Sequence, residues 1–228
     1  MPASPFRRRA ERIGHRGAPR EFPENTLPAF ARAIELGADG IELDVHVTGD
    51  GVPVVHHDPD LPSKNGRTNQ PIASMTWEEV GCTEIASGVF VPSLQQVLNL
   101  AKKAIVYVEL KGRDVEERTI DVIRASAAHC AVHSFDHAAV ARAASIAPEL
   151  RRGILFDAYP VDVARSMRSA SAQDVWAQWE LIDAPLVERV HGAGGRVIAW
   201  TVNSTADAER LIELGVDGLC GDDVRLLP

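Results

Sequence analysis

Short runs of β-branched and aliphatic residues alternate with amphipathic stretches of helical period from near the start of the chain to its end. The pattern predicts strands over residues 12–15, 40–47, 105–110, 131–134, 152–155, 175–177, 196–201 and 218–219. Between them it predicts helices over 26–36, 93–101, 115–127, 137–146, 161–169, 185–192 and 205–214. Asn25 and Ser204 stand where an N-cap belongs, and Gly37 and Gly215 where a helix should stop. Parallel neighbours need a crossover between them, so this alternation implies an α/β protein with a parallel sheet. Eight strands in this length suggest a closed (β/α)8 TIM barrel, although a doubly wound sheet has the same alternation.

The one long irregular stretch, residues 58–92, carries Pro59, Pro62, Asn65, Gly66, Pro71, Gly81 and Gly88, with a short helix predicted over 76–80. It reads as a functional loop or short insertion after the second strand. No linker or internal repeat stands out. The expectation is a single domain over residues 1–228, with 1–11 as a flexible N-terminal tail.

Composition narrows the classes. The 228 residues, 45% hydrophobic and 25% charged, exclude global disorder and allow a sizeable core. The 24 Lys and Arg against 32 Asp and Glu leave a net charge of −8, which argues against a nucleic-acid partner. Arg7, Arg8, Arg9 and Arg12 form the one basic cluster, expected to be a solvated tail. No segment has the apolar length to cross a bilayer, and the first residues lack the apolar centre of a secretory signal. Cys82, Cys130 and Cys220 are odd in number and widely spaced, which fits a reduced compartment and buried packing. The expectation is a soluble cytoplasmic protein without stable membrane association; its oligomeric state is not set at this level.

The polar residues inside apolar strands carry the chemistry. Residues i and i+2 of a strand share a face, so Glu42 and Asp44 project together. Two like charges on a buried face are costly unless cations or fixed donors neutralise them. Glu109 and Lys111 repeat the arrangement at the end of the 105–110 run. If both strands end at one rim, three carboxylates and one ammonium converge, an oxygen-rich set suited to Mg²⁺ or Ca²⁺. A single Glu-x-Asp alone would read as a salt-bridged strand end, and a lone His as structural. Here His15-Arg16-Gly17 follows the first strand, and Val54-Val55-His56-His57-Asp58 ends a second strand-like piece with Asp58 beside the imidazoles. Two His, one Arg and one Lys could bind a phosphate ester and move protons near neutral pH. His46 shares the face of Glu42 and Asp44, either touching substrate or filling the barrel mouth. Trp176 and Trp179 read as packing residues, and Gly192-Ala193-Gly194-Gly195 as a helix-ending turn. His129, His133, His137 and His191 receive no role.

These residues carry a resemblance. His15-Arg16-Gly17, Pro23-Glu24-Asn25-Thr26, Ala29-Phe30, Gly37-Ala38, Glu42-Leu43-Asp44-Val45, Thr48-Gly49-Asp50-Gly51 and His57-Asp58 resemble the N-terminal signature of the glycerophosphodiester phosphodiesterases, of the bacterial cytosolic type. Val108-Glu109-Leu110-Lys111, Ser134-Phe135-Asp136 and Trp200-Thr201-Val202-Asn203 match the later blocks in order, so the resemblance runs from His15 to about Gly218. It implies a (β/α)8 barrel that hydrolyses glycerophosphodiesters to sn-glycerol 3-phosphate and an alcohol. It further implies one divalent metal, Mg²⁺ or Ca²⁺, on Glu42, Asp44 and Glu109, with His15 and His57 as the acid–base pair. Arg16 and Lys111 would bind the phosphate, while Phe135 and Trp200 would line the mouth against the glycerol and leaving group.

The ending departs from the family pattern, since Gly221 precedes Asp222 where a Thr is usual. The run Asn65-Gly66-Arg67-Thr68-Asn69 is a scrambled form of the usual insertion block. Two other classes compete: a Mg²⁺-dependent barrel lyase or aldolase, and a non-catalytic barrel that binds a phosphorylated metabolite. The first gives no reason for two His beside the metal, and the second should lack a His or a metal ligand.

Overall fold

The computed structural model describes residues 9–62 and 69–228. Eight parallel strands form the frame: β1 (Glu11–His15), β2 (Gly40–Val47), β3 (Ile105–Leu110), β4 (Cys130–Ser134), β5 (Arg151–Phe156), β6 (Asp174–Gln178), β7 (Arg196–Trp200) and β8 (Gly218–Gly221). Each pairs with the next, and β1 pairs with both β8 and β2, so the sheet closes into a (β/α)8 barrel. A further strand, Pro53–Val55, lies antiparallel on the top of β2.

Helices α1 (Leu27–Glu35), α2 (Trp77–Gly81), α3 (Leu94–Leu100), α4 (Glu116–Arg124), α5 (His137–Ile146), α6 (Val163–Ala170), α7 (Ala184–Gly192) and α8 (Thr205–Leu214) follow in order. All but α2 connect barrel strands. The stretch after β2 holds α2 between two antiparallel pairs, Asp60–Pro62 with Asn69–Pro71 and Glu84–Ala86 with Val89–Phe90. The scrambled block at 65–68 lies outside the described residues.

Strand alternation builds two layers of core. Ile41, Leu43, Val106, Val108 and Leu110 face outward against Phe30 of α1, Leu94 and Val97 of α3 and Ile120 of α4. The opposite face fills the barrel, with Ile13, Tyr107, Ala131, Leu155, Trp176, Ile198 and Cys220 in one cluster, each from a different strand. A strand repeats its facing every second residue, so His15, Glu109, His133 and Trp200 stand one layer above Ile13, Tyr107, Ala131 and Ile198, towards the C-terminal rim.

Four expectations need correction. The barrel takes in residues before 12: Ala10 is buried, and the Glu11 amide donates to the Asp217 carbonyl as β1 pairs with β8. Arg9 and Arg12 are engaged, Arg9 with Asp39 at 2.7 Å and Arg12 with the Gly37 carbonyl at 2.6 Å, where the end of α1 offers free acceptors; Arg7 and Arg8 lie outside the described residues. The N-cap of α1 is Thr26, whose hydroxyl accepts from the Ala29 amide, and Asn25 has other work. Cys82 is exposed, because it ends the short α2 at the surface, whereas Cys220 is buried in the barrel.

Candidate active site

The turn after β1 sets the first side of the site. Gly17 has φ +92°, and a Cβ there would lie 2.6 Å from the Ala29 carbonyl carbon, so only glycine lets α1 come this close. Arg16 has φ +53°, a left-handed conformation costing a side-chain-bearing residue about 1–2 kcal/mol. That twist lets Arg16 engage three carboxylates. Its amide donates to Glu42 Oε2 at 3.2 Å, its Nη1 to Glu24 at 2.8 Å, and its Nε lies 3.1 Å from Asp44 Oδ2.

Each of the two predicted imidazoles is held at Nδ1 by a carboxylate. His15 Nδ1 lies 2.8 Å from Asp222 Oδ1, and His57 Nδ1 lies 2.8 Å from Asp58 Oδ1. Asp222 is itself clamped by Asn203, which donates to Oδ2 at 2.7 Å and accepts from the Asp222 amide at 3.0 Å. At the neighbouring Gly221 a Cβ would collide with the Val202 carbonyl oxygen, so the position usually held by Thr must be glycine in this chain. Burial alone would push His15 down, but the Asp222 hydrogen bond and the Glu42 charge outweigh it, and its pKa is raised. His46 proves to be a support, with Nε2 3.1 Å from the His57 carbonyl.

The carboxylates line up across strands. His15 is in register with Glu42, Asp44 with Glu109, and Glu109 with His133, which runs the site from β1 to β4. Glu42, Asp44 and Glu109 are all buried. Against the cost of burial, Arg16, Lys111 and Asn25 hold the Asp44 pKa down, with Asn25 donating to Oδ2 at 2.8 Å. Burial, together with the charges of Glu42 and Asp44, pushes the Glu109 pKa up. Lys111 Nζ lies 3.2 Å from Glu109 and 3.4 Å from Asp44, and these charges raise its pKa despite burial.

Glu42, Glu109 and His133 each offer one ligand atom within 4.8 Å of the others, a cluster able to hold a metal ion. Asp44 stands beside this cluster and faces the two cations. His133, given no role from sequence, belongs to the site because it occupies the barrel-facing position two residues beyond Ala131. Its place at the end of a predicted strand was readable, but not which face that strand turned inward. Asn25 and Asp222 were likewise missed as site residues.

A cavity of about 140 Å³ gathers eight of the nine predicted residues, all but Asp44, which lies below the surface. Phe135 and Trp200 form its aromatic wall, edge to face with centroids 5.6 Å apart, and Phe135 is exposed. The Trp200 indole N–H is buried without a hydrogen-bond partner among the described residues. A groove of about 430 Å³ shares His57 and Lys111 with the cavity and runs past Asp58, Pro71 and Arg113. No helix among the described residues is long and apolar enough to cross a membrane.

A TIM barrel with carboxylates, basic side chains and paired imidazoles at its C-terminal rim defines an enzyme built for a phosphate ester. The glycerophosphoryl diester phosphodiesterase family model matches residues 15–226, and the chain belongs to that family, as a phosphoric diester hydrolase. It is 33% identical over 232 residues to a glycerophosphodiester phosphodiesterase of Caldanaerobacter subterraneus subsp. tengcongensis, covering 94% of this chain and 95% of the relative. Among solved structures, it is similar to a putative glycerophosphoryl diester phosphodiesterase of Silicibacter pomeroyi, with TM-score 0.85, 26% identity and coverage of 96% and 91%. It is also similar to an Oleispira antarctica phosphodiesterase in complex with the product sn-glycerol-3-phosphate, with TM-score 0.84, 25% identity and 92% coverage of both chains.

Proposed function

We propose that this chain hydrolyses water-soluble glycerophosphodiesters to sn-glycerol 3-phosphate and an alcohol, acting as one catalytic domain. The observation that carries the reading is a single cavity lined by two carboxylate-anchored imidazoles, Arg16, Lys111 and two buried glutamates. The product bound to the Oleispira antarctica relative supports the glycerol 3-phosphate half.

The residues fit a divalent cation: Glu42, Asp44 and Glu109 are buried together, and Asp44 Oδ1 has no hydrogen-bond partner among the described residues. Burial with the charges of Glu42 and Asp44 pushes Glu109 towards its neutral form, a cost an ion would offset. Glu42, Asp44 and Glu109 would hold it, and these oxygen donors alone suit Mg²⁺ and Ca²⁺ equally. The ion would supply charge stabilisation to the phosphoryl oxygens.

The chain's own residues divide the remaining work. A phosphodiester is an anion, so Arg16 and Lys111 offset its charge before an oxygen nucleophile approaches. One of His15 and His57 takes the proton from the attacking hydroxyl as its oxygen bonds to phosphorus. The bond from phosphorus to the alcohol oxygen breaks, and the other imidazole delivers a proton to that oxygen. Asp58 and Asp222 fix both rings at Nδ1, leaving Nε2 for the transfer. The leaving alcohol fits the groove beyond His57, where Asp58 and Arg113 offer both signs of charge to different headgroups.

A coupled assay for glycerol 3-phosphate released from glycerophosphocholine and glycerophosphoethanolamine tests the reading. Turnover of both, with similar kcat/KM and little action on a lysophospholipid, is expected. No release from either ester would overturn the activity. Preference for the acylated substrate, or a strict need for one headgroup, would overturn the proposed selectivity.

A further inference from the structure

His133 takes no part in the steps above, yet it is only 1% exposed. It sits on β4 between Glu109 of β3 and Gly153 of β5 in register. Trp176 stacks against its face, with ring centroids 4.3 Å apart and planes 17° apart. Gly153 makes room for this stack, since a Cβ there would lie 2.8 Å from Trp176 Cδ1 and 3.2 Å from His133 Cβ. The ring plane is therefore fixed by packing, with the imidazole lining the cavity.

Buried polar groups are ordinarily hydrogen-bonded. Neither ring nitrogen of His133 has a hydrogen-bond partner among the described residues. Its Nε2 lies 3.7 Å from Glu42 Oε1, too far for a hydrogen bond. A nitrogen and an oxygen bound to one ion through bonds of about 2.0–2.2 Å stand roughly 3–4.4 Å apart, and the observed separation falls in that window. A core histidine kept for packing alone would not be held with both nitrogens unpartnered beside two buried glutamates.

We propose that His133 supplies a nitrogen ligand to the divalent ion beside Glu42 and Glu109, and that this chain selects a first-row transition ion such as Mn²⁺ or Co²⁺ over Ca²⁺. The proposal rests on the reading that the cavity holds a divalent ion. Ca²⁺ takes oxygen donors, whereas imidazole binds transition ions, so one buried nitrogen shifts a site that oxygens alone would leave open to either.

The test titrates Mn²⁺ alone into chelator-stripped protein, with the full chain, and reads bound metal by electron paramagnetic resonance. Spin-echo modulation then reports a directly bound ¹⁴N. One Mn²⁺ per chain with ¹⁴N modulation is expected. In His133→Gln the modulation should vanish and Mn²⁺ affinity fall at least about tenfold, with Ca²⁺ affinity changed less than about threefold. His133→Asn serves if circular dichroism shows that the Gln variant does not fold. Bound Mn²⁺ without ¹⁴N modulation, or modulation that survives the substitution, overturns the nitrogen ligand and leaves the metal site standing. Absence of any Mn²⁺ binding overturns both.

Discussion

The two ends of the barrel bury charge in opposite ways. At the N-terminal end, Glu11, Arg151, Asp174 and Arg196 are each the first residue of a strand. Buried Asp174 accepts from Arg151 Nε and Arg196 Nε, each at 3.0 Å from Oδ1. Glu11 accepts from Arg196 at 2.7 Å and from the Tyr107 hydroxyl at 2.5 Å. The network is completed within the chain. At the C-terminal end, Glu109 is pushed towards its neutral form and both His133 nitrogens lack hydrogen-bond partners among the described residues. The same strands thus carry a set of charges that closes on itself and a set that lines the open cavity. The closed end serves stability, and the open end serves chemistry.

Metal removal probes the open end most strongly. Exhaustive dialysis against EDTA should abolish turnover and lower Tm, because Arg16 and Lys111 offset only part of the repulsion among the three buried carboxylates. Restored activity and Tm on adding back a divalent ion complete the test. Full turnover after dialysis would take the ion out of the mechanism.

Next in size, His15→Ala and His57→Ala should each lose on the order of 10²–10⁴ in kcat, with little change in Tm, since neither side chain belongs to the core. Near-wild-type turnover in either variant would refute its acid–base role. The closed end should behave in reverse. Asp174→Asn leaves two guanidiniums without their shared carboxylate, at a cost of about 3–5 kcal/mol and a Tm lower by roughly 6–20 °C. Its kcat, measured on folded protein, should stay near wild type; a large drop in kcat without a drop in Tm would erase the distinction between the ends.

The smallest effect concerns Asp222. Its hydrogen bond helps raise the His15 pKa above 6.5 in the metal-free chain, so Asp222→Asn should move that titration downward in an NMR pH series. Folding that raises a histidine pKa means the folded chain binds the proton more tightly. The stabilisation is complete below the unfolded value and fades as pH rises through the folded one. In Asp222→Asn this fading should weaken. An unchanged titration would show that Asp222 does not set the charge of His15.

Local order was legible in the sequence because its periods are local. Alternation of strand and helix implied parallel strands joined by crossovers, and the i, i+2 spacing of Glu42 and Asp44 put both on one face whatever the fold. The motif residues from His15 to Trp200 could be matched block by block for the same reason. Only the tertiary structure decided what meets across strands. His133 joined the site because β4 pairs with β3 in the register that sets it beside Glu109. Asn25 left its expected cap because the turn before α1 brings its amide within 2.8 Å of Asp44. Asp222 reaches His15 across 207 residues of chain, through the closure of β8 onto β1. Register and closure are properties of the whole barrel, and no window of sequence contains them.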